Sequence, residues 1–273
     1  MADMPLYICL DATEDDIERS VLNGAARVKM LGARSASELS DDVLEEASVC
    51  AVWHTIHVDE TLLRRLKRCR AIIRMGVGYD NVDISAAGRL GIRVCNIPDY
   101  GTEEVADSAI CLTLGLFRGA LAGARLLNEP GVTVRGADAI AAAVPYVKRV
   151  RDSVLGLVGL GRIGTAVARR ATACGFTVIF FDPYVPDGAD KAIGIRRAES
   201  LEALLAESDC ISLHCNCASA DVTGRAAARA MPARSINAAA FACMRPGCFL
   251  VNTARGERPM PQCAPNGSLC LEC

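Results

Sequence analysis

Apolar residues in the first hundred positions come in short runs separated by windows of helical spacing. Leu6-Tyr7-Ile8-Cys9-Leu10 reads as a strand ended by Asp11, and the runs at 27–31, 49–53, 71–75 and 92–96 repeat the pattern. Between them DDIERSVL, SELSDDVLEEA, residues 58–68 and ISAAGRLG carry helical spacing. Short β-branched runs alternating with helices predict a parallel sheet covered on both faces. The breaker cluster Ile97-Pro98-Asp99-Tyr100-Gly101 sets a boundary, giving an outer domain over 1–101. Thr102 is a plausible N-cap, with Glu103 and Glu104 in the first turn. From there to Leu127 nearly every residue is apolar or small, which predicts one long buried helix crossing between domains or subunits. Residues 128–143 read as loop with a weak helix.

A second alternation follows, and it carries chemistry. Val154-Leu155-Gly156-Leu157-Val158 is a strand that runs straight into Gly159-Leu160-Gly161-Arg162-Ile163-Gly164. A helix pattern through Ala171 closes at Gly175, the strand 177–181 comes next, and Asp182 stands at its end. A lone GxGxxG is weak evidence; one between a strand and a helix, with an acid after the next strand, is the dinucleotide fingerprint. Gly159 permits the tight turn, Gly161 lets a pyrophosphate approach, and Gly164 lets helix and sheet close up. Arg162 and Ile163 open the helix whose amides face the phosphates. Asp182 accepts from the ribose hydroxyls and repels a 2′-phosphate, so the expected cofactor is NAD. The unit continues with a helix at 200–207 and strands at 210–214 and 249–252. His214, at a strand's carboxyl end, suits a cofactor-pocket role and a structural role equally. The Ala/Arg-rich stretch around 218–234 reads as an insertion.

Earlier in the chain, Met75-Gly76-Val77-Gly78-Tyr79-Asp80-Asn81 follows the fourth strand. Two glycines beyond a strand's carboxyl end can present amides to an anion, though a plain turn before a helix fits as well.

Composition narrows the classes. Apolar residues make up 51% of the 273, enough for real cores, but aromatics only 4%, so Leu, Val, Ile and Ala must fill them. Thirty basic against 32 acidic residues give a net charge of −2, and no surface for direct nucleic-acid binding is expected. The Arg64-Arg65-Leu66-Lys67-Arg68 run is read as the solvated face of an amphipathic helix. MADMPLYICLD lacks a basic, then apolar, leader pattern, and no stretch of eighteen apolar residues occurs, so neither secretion nor a membrane span is expected. The 14 cysteines are read as free, mostly buried thiols. Cys215-x-Cys217 and Cys270-x-x-Cys273 lack a nearby His pair, so no metal site is expected.

These passages together resemble the NAD-dependent D-2-hydroxyacid dehydrogenases. CNIPDYGTEEVADS and FFDPYVPDG resemble their co-repressor branch, the C-terminal-binding proteins. AVWHTI, IIRMGVGYDNVDISAAGRLGIRV, VLGLVGLGRIGTAVARR, ESDCISLHC and MRPGCFLVNTARG carry the match. The resemblance implies that Val77 and Gly78 hold a substrate carboxylate through their amides, with Arg255 binding the carboxylate and keto oxygen. It implies that Thr102, Asn252, Thr253 and Ala254 line the cofactor. It also implies a homodimer through the nucleotide domain (102–256), and a cleft near the strand ending at Trp53 for P-x-D-L-S-type peptides of transcription factors. Nuclear localisation follows from the branch, with the cytoplasm open as well. The family's proton donor, a Glu followed by a His beyond the T-A-R-G motif, has no match in the tail 257–273, which reads as unpatterned. The resulting expectation is an α/β chain: a flavodoxin-like outer domain, then a Rossmann-type doubly wound sheet incomplete at its C-terminal end. Its expected function is an NAD(H)-binding co-repressor, weak or inactive as an enzyme. The alternatives are an active oxidoreductase on the CH–OH group of 2-hydroxy acids, and an unstable fragment.

Overall fold

The computed structural model describes residues 4–14, 17–128, 145–215, 217–218, 231–232, 236–254 and 269–272. They form two compact units, the first ending at Gly101 and the second beginning at Thr102.

The first unit runs β1 (Leu6–Cys9), α1 (Glu18–Val21), β2 (Arg27–Met30), α2 (Asp41–Glu46), β3 (Ala47–Val52), α3 (Glu60–Arg65), β4 (Ala71–Arg74), α4 (Ile84–Arg89), β5 (Arg93–Asn96). All five strands are parallel, in the order β2-β1-β3-β4-β5. Ile8, Cys50, Val52 and Ile72 from the strands pack with Leu44, Leu62, Leu63 and Ala86 from the helices in one buried cluster. Asp59 and Asp83 start α3 and α4 by accepting from the amides of Leu62 and Ala86, each at 2.8 Å. Each such cap contributes about 1 kcal/mol. Only the start of the basic run is helical: α3 ends at Arg65, the exposed Arg64 binds Glu60, and the half-buried Arg65 binds Asp41 and the Ala36 carbonyl.

The second unit runs α5 (Thr102–Arg118), α6 (Ala120–Leu127), β6 (Val154–Val158), α7 (Arg162–Cys174), β7 (Thr177–Phe181), α8 (Ala189–Ile193), β8 (Arg196–Arg197), α9 (Leu201–Glu207) and β9 (Cys210–Leu213). Then come β10 (Cys217–Ala218), β11 (Met231–Pro232), α10 (Ala238–Cys243), β12 (Phe249–Asn252) and β13 (Leu269–Glu272). Its main sheet is parallel in the order β13-β12-β9-β6-β7-β8, while β10 and β11 pair separately. Read from β8, this is the 3-2-1-4-5-6 order of a dinucleotide-binding sheet, with the reversal between β6 and β9. Few aromatics go far here. Phe117 on α5 meets Phe176 and Phe249 edge-on at 5.0 and 5.1 Å, under α7 and the sheet.

Several expectations change. The sheet is not short of a strand: Leu269–Glu272 pairs with all four residues of β12. All four residues of β12 are buried, and the outward amides and carbonyls of such a strand need a ladder partner. A strand of four residues within a Pro- and Cys-rich tail gives too short a period to read. The single crossing helix is two. Gly119, at φ 62, takes the left-handed conformation, and α5 and α6 meet there at a 69° bend. Burial follows the break. Ala106, Ala109, Ile110, Leu116 and Phe117 of α5 are buried, whereas α6 buries nothing and leaves Leu121 and Leu127 exposed. Thr102 is the first residue of α5 and not a cap before it. Cys9, Cys50, Cys69, Cys210 and Cys248 are free and buried, Cys215 is free and half-buried, and Cys95, Cys111, Cys174 and Cys243 are free and exposed. Burial pushes the Cys50 and Cys210 thiols well up, which keeps them protonated and inert. Among the described residues no single helix is long and apolar enough to cross a membrane. The stretch 129–144 and most of the supposed insertion at 218–234 lie outside the described residues.

Candidate functional site

In the second unit the chain leaves β6 into a turn at Gly159, φ 96, where a Cβ would stand 2.8 Å from the His214 carbonyl oxygen. A Cβ on Gly164 would come within 2.2 Å of the Gly159 carbonyl oxygen, so α7 rests directly on the turn. At Gly161 nothing among the described residues lies within 4 Å of the Cβ position. No side chain of the N-cap residue caps α7 there, and the first amides of any helix have no intrahelical acceptor. Backbone donors and the positive helix end together suit a diphosphate.

Asp182, at the end of β7, is held in place by the loops it joins. Its Oδ2 accepts from the Leu160 amide and its Oδ1 from the Tyr184 amide, both at 2.8 Å. A carboxylate has about four acceptor positions, so each oxygen keeps one for a ribose hydroxyl. The Arg197 guanidinium donates to the Asp182 carbonyl oxygen at 2.7 Å, leaving a cation beside this acid.

Beyond the turn, at the carboxyl ends of β9 and β12, three buried polar groups have no hydrogen-bond partner among the described residues. They are Ser212 Oγ, both ring nitrogens of His214, and Thr253 Oγ1. His214 as a residue is half-buried, yet its nitrogens are shielded from solvent; burial pushes its imidazole down to about 4, so the ring is neutral at physiological pH. Buried polar atoms are seldom left unsatisfied, and these three groups on adjacent strands beside the sheet's reversal point suit a polar ligand. Asn252 is buried and turns the chain after β12, its Oδ1 accepting from the Ala254 amide at 3.0 Å. The residues present fit a dinucleotide. Arg255 lies outside the described residues.

In the first unit β4 ends at Arg74, which is only 4% exposed despite its charge. Its Nη2 donates to His54 Nδ1 at 2.6 Å, and Nε reaches Asn81 Oδ1 at 3.4 Å. That bond makes Nδ1 the acceptor and places the ring proton of neutral His54 on Nε2. Asn81 donates onward to the carbonyls of Trp53 and Ile56, tying the loop after β3 to the glycine loop. The guanidinium fills the space beside Gly76, where a Cβ would lie 1.6 Å from Arg74 Nη1. Asn96 fixes the next residue by donating to the Val77 carbonyl at 2.7 Å. Val77 is exposed, and the amides of Val77 and Gly78 donate to no partner among the described residues. The loop therefore combines two available donors with a buried cation behind it, an arrangement that attracts a small anion. Sequence reasoning selected Val77 and Gly78 and missed Arg74, Asn81 and His54. The available signal was the arginine ending an otherwise apolar strand, AIIRM.

Among the described residues no group of three or more His, Cys, Asp or Glu could hold a metal ion.

Residues 117–258 match the family model described as D-isomer specific 2-hydroxyacid dehydrogenase, NAD binding domain. The chain is 41% identical over 212 residues to C-terminal-binding protein 1 of Caenorhabditis elegans, covering 78% of this chain and 29% of that protein. It is 30% identical over 201 residues to D-3-phosphoglycerate dehydrogenase of Methanocaldococcus jannaschii, covering 74% of this chain and 36% of that one. The chain thus spans about a third of the length of these curated relatives. Among solved structures, a D-lactate dehydrogenase of Aquifex aeolicus in complex with NAD and lactic acid superposes with a TM-score of 0.76. There the identity is 25%, over 92% of this chain and 69% of that one. With a matching NAD-binding model over more than half its length and the dinucleotide cradle in place, the chain belongs to the NAD-dependent D-2-hydroxyacid dehydrogenase family.

Proposed function

We propose that the protein is an NAD(H)-dependent oxidoreductase acting on the CH–OH group of small 2-hydroxy acids. In this reading Gly159, Gly161, Arg162, Ile163 and Gly164 hold the diphosphate and Asp182 the adenosine ribose. His214, Thr102, Asn252, Thr253 and Ala254 line the rest of the cofactor site. Val77 and Gly78 bind the substrate carboxylate, Arg74 supplies the charge behind them, and Arg255 binds the carboxylate and keto oxygen. The bound cofactor supplies or accepts a hydride at the 2-carbon. The observation that carries the reading is the set of orphaned polar atoms on Ser212, His214 and Thr253, beside an open helix start and an anchored ribose acid. The strand order of the first unit supports a flavodoxin-like assignment for it.

The co-repressor reading, with nuclear localisation, a homodimer through the nucleotide unit and P-x-D-L-S-type peptides as partners, rests on the 41% identity to a C-terminal-binding protein. The solved relative with NAD and lactic acid favours the oxidoreductase as the principal function. The test is loss of NADH absorbance with pyruvate, glyoxylate and branched 2-keto acids, alongside calorimetric titration with NADH. Binding with oxidation by at least one acid supports the proposal. Binding without oxidation by any acid removes the enzyme and leaves the co-repressor, and absence of binding removes both.

A further inference from the structure

A cavity of about 340 Å³ opens on the first unit between α4 and β5, lined by Tyr79, Ile84, Gly88, Ile92, Val94 and Asn96. It does not include Trp53 at the end of β3, so it is separate from the place where the resemblance put a peptide cleft. β5 is the last strand of its sheet, and its pairing fixes which backbone groups are used. The amides of Arg93 and Ile97 point inward, donating to the carbonyls of Arg70 and Gly76. By the alternation of a parallel ladder, Val94 and Asn96 turn their N–H and C=O groups outward. Neither residue's backbone has a hydrogen-bond partner on that side among the described residues.

We infer that this edge is a docking site for an extended peptide segment of a partner protein, which adds a strand beside β5. Such a strand would bond to Val94 and Asn96 and send every second side chain into the cavity. Ile84, Ile92 and Val94 call for aliphatic residues at those positions. The cavity reaches this depth because Gly88 carries no side chain on the α4 wall, where a Cβ would meet nothing within 4 Å. The intervening residues of the peptide fall on the other face, where Arg93 is exposed, and Arg70, also exposed, precedes β4. Neither makes an ion pair among the described residues. Charge complementarity therefore selects an acidic residue next to the aliphatic ones, so the partner segment alternates aliphatic and acidic or small polar side chains.

The test uses the full chain and a fluorescein-labelled peptide of sequence TVEVTVE, read by anisotropy. Two variants attack different halves of the site. Val94→Pro removes the outward amide without touching an inward ladder bond, a substitution edge strands tolerate. Gly88→Leu fills the cavity in a helix, where leucine is a better helix former than glycine. Saturable binding that each variant weakens at least about tenfold, with melting temperatures unchanged or raised, supports the inference. No binding by the wild-type chain at millimolar peptide overturns it, as does equal binding by both variants. Equal affinity for the control TTETTTE also overturns it, because charge alone would then suffice. Sedimentation decides the other occupant: a wild-type dimer that Val94→Pro converts to monomer assigns the edge to a second copy of the chain, and the peptide inference fails.

Discussion

The two glycine loops both leave the carboxyl end of a parallel strand, yet they are finished in opposite ways. The loop at Gly76 is filled from within, with Arg74 occupying the space beside its glycine and Asn96 holding the next carbonyl. The loop at Gly159 is left open: among the described residues nothing lies near the Cβ position of Gly161, and Ser212 Oγ, the His214 ring nitrogens and Thr253 Oγ1 lack partners. A loop that carries its own cation can hold a small anion such as a carboxylate. A loop that offers only amides and a helix end needs a ligand large enough to bring many contacts, as a dinucleotide does. In the proposed reading the same local device serves a substrate in one unit and a cofactor in the other. What separates the two is the residue ending the preceding strand, Arg74 in one case and Val158 in the other.

The comparison breaks most sharply at Gly164. In Gly164→Ala the new methyl meets a backbone oxygen, which cannot swing aside as a side chain would, so α7 must lift from the turn. NADH affinity should fall on the order of 100-fold, equivalent to about 3 kcal/mol. Calorimetric titration checks this, with a melting curve to show that the unit still folds. Unchanged affinity would mean that the contact between helix and turn is not what shapes the diphosphate site.

The filled loop is next. Arg74→Met keeps the length of the side chain and removes the charge behind the Val77 and Gly78 amides. Affinity for oxamate, a carboxylate analogue of pyruvate, should drop about 30-fold, the scale of a hydrogen bond to a charged group. NADH binding should stay as it was. A parallel loss of NADH affinity would show that the two loops do not divide the ligands as described.

How far these loops could be read from the chain depended on the length of the signal. The fingerprint at Gly159 spans strand, turn, helix, strand and acid, so its parts support one another across 29 residues from Val154 to Asp182. Most strands were legible for a similar reason, because alternation over a hundred residues repeats the evidence. Arg74 was not, since one charged residue at a strand end normally faces solvent and only the packing shows that it does not. The break at Gly119 was hidden inside LFRGALAG, where an apolar run continues through the glycine and a left-handed φ leaves no mark in composition. β13 was missed because four residues, LCLE, give two periods at most, and its place is decided by the free edge of β12. The orphaned groups of Ser212 and Thr253 follow from burial alone, and a sequence has no counterpart for it.

His214 sharpens the open loop through pH. Its folded value of about 4 lies below the ordinary value of 6.5, because burial disfavours the imidazolium. The unfolded chain therefore takes up a proton between these values that the folded chain refuses. Stability is full above about pH 6.5, falls as the pH drops toward 4, and levels off below that. The loss should be on the order of 2 kcal/mol, with solvent reaching part of the residue. His214→Gln should flatten this part of the stability profile in urea titrations across the window. A profile as steep in the variant as in the wild type would assign the acid sensitivity to other groups.

The smallest effect concerns the choice of dinucleotide. Asp182 uses one position on each oxygen for the Leu160 and Tyr184 amides, and its negative charge opposes a phosphate on the ribose. Asp182→Asn keeps an acceptor for one of those amides and removes the charge, while the Arg197 guanidinium stays anchored on the backbone carbonyl beside it. The ratio of NADH to NADPH affinity should fall about tenfold, near 1.4 kcal/mol, part from a weaker hold on the ribose and part from relief of repulsion. Fluorescence titration of both cofactors separates the two parts. If NADH weakens while NADPH stays unbound, Asp182 acts only as a ribose acceptor. If NADPH gains, the carboxylate discriminates by charge, as an acid placed beside a fixed guanidinium must do to keep that cation from recruiting the extra phosphate.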